Sequence, residues 1–269
     1  MKTSARNIDG TVPKSCVIRM HRWIGRVAMV TGAANGVGAA TVKLLVESGM
    51  KVAAVNCTTD FEKCEALATD LNKSKSERCL LPVECDVSKE DQVMQMFKKI
   101  KSEFGRLDVC VNSAGVGPPK GQLIEGSTEA WNQILDVNIL GLSLCTREAI
   151  KLMQERGNEE GHVIHIGSYS GHRIPGMHVM HMYSGSKHAV RALTEGLRRE
   201  LRSLNSNIRI SSISPGAIDT PFGKGAIPDL GTRAALSAED VAYQVLHCLQ
   251  QPQHVQIQDI VILPTYQPG

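Results

Sequence analysis

Seven short apolar runs, separated by stretches of helical period, constrain this chain more than any other feature. They read RVAMVTG from Arg26, KVAAV from Lys51, CLLPVECDVS from Cys79, LDVCVNSAG from Leu107, HVIHIGS from His162, IRISSIS from Ile208 and DIVIL from Asp259. Between them lie VGAATVKLLVESG, closed by Gly49, and residues 60–72, with Phe61, Cys64, Leu67, Ala68 and Leu71 at helical spacing. EDQVMQMFKKIKSEFG follows, ending at Gly105, then two helical stretches around 128–140 and 141–156, a helix from about Met182 to Leu204, and residues 238–250. Strands that are apolar without alternation are buried on both faces, and parallel neighbours need a crossover long enough to be a helix. The expected fold is α/β: a doubly wound parallel sheet of about seven strands with helices on both faces. On such a sheet ligands bind outside the carboxyl ends of the strands, so chemistry is sought where each run stops.

The remaining features narrow the class. A chain of 269 residues can bury one large core, and neither a Pro/Gly-rich linker nor a repeat of solenoid period divides it. Residues 22–269 are therefore read as one domain. Residues 1–21 hold Lys2, Arg6, Lys14 and Arg19 against a single acid, Asp9, and no apolar signal core. They read as a disordered leader or as the product of a start upstream of Met20, with an organelle-targeting segment as the other reading. A net charge of +3, with no Lys/Arg cluster interleaved with aromatics, argues against nucleic-acid binding. No apolar run approaches bilayer length. Eight cysteines without a C-x-x-C pair fit reduced thiols and a cytoplasmic setting.

The strand ends agree with one another. TGAANGVG after the first run places glycines at Gly32, Gly36 and Gly38, which let backbone turn tightly and approach a phosphate at a helix N-terminus. The third run ends in Cys85-Asp86-Val87; the Asp86 carboxylate can accept from an adenine amino group, or Asp86 or Ser88 can cap the next helix. Asn112, Ser113, Ala114 and Gly115 end the fourth run, and Ser214-Pro215-Gly216 the sixth, with Thr220 beyond it. Singly these are turn signals; jointly they outline one long crevice.

Tyr183 and Lys187 lie four apart on a helix, so both share one face, with only Ser184, Gly185 and Ser186 between them. A free phenol ionises near pH ~10, and a neighbouring ammonium is expected to lower that value into a usable general acid/base range.

Taken together, TGAANGVG, CDV, NSAG, DVNILG, IHIGS, YSGSK and PGAIDT resemble the single-domain branch of the short-chain dehydrogenases/reductases, over about residues 22–264. SYSGHRIPGMHVMHMYSGSKHAVRALTEGLRREL and QHVQIQDIVILPT are similar to the dehydrogenase/reductase member eleven group, which includes insect farnesol dehydrogenase-like enzymes. The resemblance implies a Rossmann-like sheet and a catalytic set of Asn138, Ser168, Tyr183 and Lys187. Ser168 would hold the substrate oxygen; Ser170 is its rival, but Ser168 opens the S-x-[SAG]-G unit. The carbonyl side of Asn138 would hold a water linking Lys187 to solvent. Cofactor contacts are implied at Gly32, Asn35, Gly36, Val37 and Gly38 on the first turn, and at Asn56, Cys57, Asp86 and Val87 beside the second and third strands. They continue through Asn112, Ala114 and Gly115 to Tyr183 and Lys187, then Pro215, Gly216, Ile218 and Thr220. A homodimer or homotetramer is also implied.

After the second run stand Asn56-Cys57-Thr58-Thr59, neither acidic to repel a 2′-phosphate nor basic to hold one. Without repulsion and with several donors, NADP(H) is expected over NAD(H), which stays open. Met177, Val179, Met180 and Met182 fit either an adaptable apolar pocket or core packing. Residues 221–236 read as a mobile substrate lid. A lipophilic alcohol or carbonyl substrate, such as a prenol, retinoid or ketosteroid, follows mainly from the resemblance. His162 and His165 fall on opposite faces of a strand without ligand-spaced partners, so no metal is expected. The rival readings are a catalytically silent nucleotide-binding scaffold and a nucleotide-sugar epimerase or dehydratase. The latter usually carries T-G-x-x-G-x-x-G and a larger C-terminal region.

Overall fold

Because the inner apolar runs are buried on both sides, the strands line up as one parallel sheet whose last strand is partly exposed at the edge. The computed structural model describes residues 20–73, 77–117, 120–155, 160–226 and 235–267. The strands are β1 (Val27–Thr31), β2 (Lys51–Asn56), β3 (Leu80–Glu84), β4 (Val109–Asn112), β5 (His162–Ile166), β6 (Arg209–Pro215) and β7 (Asp259–Ile262). They run in the order β3-β2-β1-β4-β5-β6-β7 with every pair parallel. The helices are α1 (Gly36–Glu47), α2 (Phe61–Asn72), α3 (Glu90–Phe104), α4 (Thr128–Leu135), α5 (Leu142–Gln154), α6 (His181–Ser203), α7 (Pro221–Ala226) and α8 (Ala238–Gln250).

Strand alternation divides the core in two. Ala28, Val30, Val52 and Ala54 face α1 and α8, while Val27, Met29, Ala53 and Val55 face α3 and α5. Pro82 is tolerated because β3 is an edge strand with β2 as its one neighbour. The polar letters of β6 are buried but partnered. Arg209 donates to the Val255 carbonyl, Ser211 to the Ile257 carbonyl and Ser214 to Asp259. The strand order reverses between β1 and β4, the switch point at which sheets of this kind hold their ligands.

Three boundaries differ from the sequence expectation. The two stretches read at 128–140 and 141–156 form one continuous helical run over 128–154, with a π-helical segment at Asp136–Gly141 joining α4 to α5. The third strand stops at Glu84, before the Cys85-Asp86-Val87 turn. Met20 and His21, assigned to the leader, belong to the folded body. Met20 is fully buried, and the adjoining Trp23 donates its indole N–H to the Leu249 carbonyl at the end of α8. The rest of the leader lies outside the described residues.

Candidate active site

The glycine turn is built chiefly for close packing. Gly32 has φ +66°, and a Cβ there would stand 2.9 Å from the Ala114 Cα. A Cβ on Gly38 would fall 2.0 Å from the Gly32 carbonyl oxygen. These two glycines thus seat β4 and α1 against the turn. Gly36, with φ +51°, faces Thr220, whose Cγ2 would be 3.0 Å from its Cβ. What fits an anion is the start of α1 itself. Asn35 occupies the N-cap position in extended conformation but its side chain does not cap, and no acid stands in the first turn. The first-turn amides and the positive end of the helix dipole therefore remain for a pyrophosphate.

Thr31, which the sequence reading passed over, ties the two sides of the switch point. Its Oγ1 accepts the N–H groups of Ser113 and Ala114 at 3.1 and 3.0 Å. The Thr before the first glycine was the available signal. Gly115 is where the crevice floor is thinnest, since a Cβ there would lie 3.5 Å from Asn138 Oδ1 and 3.7 Å from Lys187 Nζ.

Several side chains read as cofactor contacts are engaged elsewhere. Asn112 is buried and donates inward to Thr146 Oγ1 at 2.9 Å, so only its backbone faces the crevice side of the strand end. Asp86 neither caps α3 nor stands free. Its Oδ1 accepts from the N–H and the hydroxyl of Ser88, and the N-cap of α3 is Lys89. Val37 and Val87 are core residues. Gly216 makes room for Gln267, whose Oε1 accepts the Ala217 N–H at 2.9 Å. Pro215 ends β6, and Ile218 forms a parallel bridge with Leu236 that closes the base of the segment read as a lid. Thr220 Oγ1 accepts the Gly223 N–H at the start of α7, leaving its hydroxyl hydrogen to donate. Asn56 Oδ1 accepts the Ala34 N–H at 3.4 Å, and Cys57 is exposed. Of the lid, residues 227–234 lie outside the described residues.

The four residues read as catalytic come together where β4, β5 and α6 meet. Tyr183 and Lys187 are both buried on α6, and the Ser168 side chain stands close enough to the Tyr183 phenol to favour its ionisation. Ser168 Oγ accepts the Ser170 N–H at 3.1 Å, which gives Ser170 a supporting place and Ser168 the position beside the phenol. Lys187 donates to the Ile166 carbonyl at 3.0 Å. Asn138 lies in the π-helical segment, where such irregular turns commonly mark functional positions. Its Oδ1 accepts the Val116 N–H, and its Nδ2 donates to the Val116 carbonyl and to Ser186 Oγ. Ser186 in turn donates to the Tyr183 carbonyl at 2.7 Å. Ser186 is thus a strut between Asn138 and the Tyr–Lys helix, a role its small size in the sequence did not reveal.

The electrostatics depart from the sequence expectation. Burial pushes the Tyr183 phenol up to about 12, and the Ser168 side chain only partly offsets this. Burial and Ser168 set this shift, while the Lys187 ammonium is turned to the Ile166 carbonyl and lies 5.6 Å from the Tyr183 ring centroid. Burial brings Lys187 itself down to about 8. Phe222 of α7 packs on Tyr183, ring centroids 5.6 Å apart, and its ring leaves no room for a Cβ on Gly117. Of the residues read as an apolar pocket, Met180 is core, while Met177, Val179 and Met182 are half-buried. His162 bonds to Ser211, and His165 to Thr146 and Thr194. Among the described residues no group of three or more His, Cys, Asp or Glu is placed to hold a metal.

Comparison with known proteins places this geometry in company. Residues 26–230 match the short chain dehydrogenase family. The chain is 44% identical over 256 residues to dehydrogenase/reductase SDR family member 11 of Gallus gallus, covering 92% of this chain and 99% of that protein. It is 40% identical over 245 residues to a farnesol dehydrogenase of Aedes aegypti, covering 91% and 98%. Among solved structures it resembles the closed form of a serine dehydrogenase complexed with NADP+, with TM-score 0.81 and 27% identity, covering 90% of this chain and 96% of that one.

Proposed function

Because the chain belongs to the short-chain dehydrogenase family and is an oxidoreductase of that type, we propose that it moves a hydride between NADP(H) and a lipophilic alcohol or carbonyl compound. In this reading residues 22–269 act as one cofactor-binding and catalytic domain. The observation that carries it is the buried Tyr183 phenol beside Ser168 and one helical turn from Lys187.

The residues divide the work in a definite way. The uncapped start of α1 and the strand-end backbone from Asn112 to Gly115 hold the dinucleotide, which when bound supplies or takes the hydride. Tyr183, protonated at neutral pH, is the donor to a carbonyl oxygen. Ser168, half-buried beside it, orients that oxygen. Lys187 carries its charge below about pH 8 and, held by the Ile166 carbonyl, contacts the dinucleotide and takes part in returning the proton. Asn138 holds the Val116 turn and, through Ser186, the first turn of α6 in register. A water between Asn138 and Lys187 completes the route by which the proton is replaced.

The lipophilic substrate class rests on the loops after β4, β5 and β6. Leu123, Ile124, Ile174 and Phe222 are exposed there, and Phe222 reaches the tyrosine. The similarity to a farnesol dehydrogenase points the same way. The reading extends to a cytoplasmic homodimer or homotetramer, supported by the exposed Val261 and Leu263 at edge strand β7. An NADPH- and NADH-consumption screen with farnesal, retinal, dicarbonyls and ketosteroids, run beside alcohol oxidation, tests it. Turnover of lipophilic carbonyls with NADPH is the expected result. Dinucleotide binding without turnover of any carbonyl would leave a silent scaffold in its place.

A further inference from the structure

At the outer end of the crevice, side chains from three chain segments close on one another beside the glycine turn. Asn35 precedes α1, Asp60 precedes α2, and Lys63 lies in the first turn of α2. The Lys63 ammonium donates to Asp60 Oδ1 at 2.5 Å and to Asn35 Oδ1 at 3.3 Å, while Asn35 Nδ2 donates to Asp60 Oδ2 at 3.1 Å. The same turn is tied to the end of β2 through the Ala34 N–H and Asn56 Oδ1. On a sheet of this kind the adenosine ribose lies between the glycine turn and the end of the second strand, and a 2′-phosphate there is met by a cation. Residues 56–59 offer none. The neighbouring charges are acids: Glu62 and Glu65 are exposed on α2, and Glu84 at the end of β3 accepts from the Thr58 hydroxyl.

We propose that Lys63, steered to the glycine turn by Asn35 and Asp60, is the residue that receives the 2′-phosphate of NADP(H). The inference rests on the function proposed above. An ammonium has three donors, and two of Lys63's are engaged by the clasp, which leaves one for a phosphate oxygen. Asp60 both aims the ammonium and competes with the phosphate for it. Removing its charge while keeping its shape therefore strengthens the site.

Equilibrium binding of NADPH and NADH to the full chain, read by nicotinamide fluorescence, tests this without turnover. Lys63→Met is expected to weaken NADPH about tenfold, the scale of one lost charge-assisted hydrogen bond at a half-exposed site, and to leave NADH unchanged. Lys63→Arg should keep the NADPH affinity and Asp60→Asn should raise it. In competition, 2′-AMP should lose potency against Lys63→Met while 5′-AMP does not. Equal NADPH affinity in Lys63→Met and the parent, an equal loss of both dinucleotides, or a parent preference for NADH would each overturn the assignment. If the parent bound neither dinucleotide, the proposed function itself would fall, and Lys63 with it.

Discussion

The two ends of the crevice are built differently. At the end proposed to hold the nicotinamide, Tyr183, Lys187, Asn138 and Ser186 are buried, and the last three are fixed by side-chain bonds to backbone or to one another. At the adenosine end, Asn56, Cys57, Asp60 and Lys63 are exposed or half-buried, and their bonds run between long, solvated side chains. Burial makes an unmade hydrogen bond expensive, on the order of 1–3 kcal/mol, whereas water replaces an exposed one at little cost. The inner end is therefore intolerant of substitution and the outer end adjustable. Reaction chemistry belongs where geometry cannot drift, and coenzyme choice where it can.

The largest effect should come from the inner end. Tyr183→Phe removes the proton donor but keeps the ring that packs on Phe222. Turnover is expected to fall by at least about a hundredfold, the usual weight of general acid–base catalysis, while the NADPH dissociation constant stays within about twofold. Steady-state rates beside fluorescence titration check both halves. A Phe variant with near-parental rates would mean that the buried end does not handle the proton, and the contrast would lose its meaning.

A smaller effect, on stability, comes from the polar core behind the same end. Asn112 donates to Thr146, and Thr194 donates to the Val190 carbonyl. The Thr146 hydroxyl is thereby left to donate to His165 Nε2, and His165 Nδ1–H to donate to Thr194, so the imidazole is neutral. Burial, with the nearby Lys187 charge, brings His165 from the usual 6.5 to about 3. Below pH 6.5 the unfolded chain takes up a proton that the folded chain refuses, so this histidine costs stability progressively as pH falls from 6.5 toward 3. The melting temperature should drop over that window, and the drop should be shallower in His165→Gln, which is less stable at pH 7. A slope equally steep in the variant would show that the histidine is not the group responsible.

The same division decides what the sequence made legible. Tyr183, Lys187, Ser168 and Asn138 could be proposed from the sequence because the phenol and ammonium stand at a spacing the α6 helix enforces and the other two stand in motifs of a recognisable set, and the structure brings the four together. The sheet was equally plain, since doubly buried strands leave unbroken apolar runs. Harder to see were residues whose part depends on a partner distant in sequence. Ser186 looked merely small until Asn138 reached it across 48 positions. Asp86 was read as a helix cap or an adenine acceptor, and its bonds to Ser88 through Oδ1 could not be read from the sequence. The glycines were recognised for the turn, but the sequence did not show that Gly38 must lack a Cβ because of a backbone oxygen of Gly32. The sign of the Tyr183 shift was missed for a related reason, because helical spacing fixes neither the depth of burial nor the direction an ammonium turns.

The smallest predicted effect is the sharpest probe of the contrast. Asn56 ends β2 and is the residue whose side chain joins that strand to the glycine turn, yet its bond to the Ala34 N–H is 3.4 Å long and half-exposed. Its amide also donates to the neighbouring Cys57 carbonyl at 3.2 Å, a local contact that water can replace. An exposed neutral hydrogen bond contributes about 0.5 kcal/mol, so Asn56→Ala should weaken NADPH only about twofold and leave turnover at saturating coenzyme unchanged. Asn138→Ala, which removes an amide of the same size from the buried end, should by contrast lose most activity because it orphans the Val116 N–H and frees Ser186. Titration and saturating-rate measurements on the pair compare one side-chain type in two settings. A loss above about tenfold for Asn56→Ala would show that the outer end is held as rigidly as the inner one, and burial would no longer account for the difference between them.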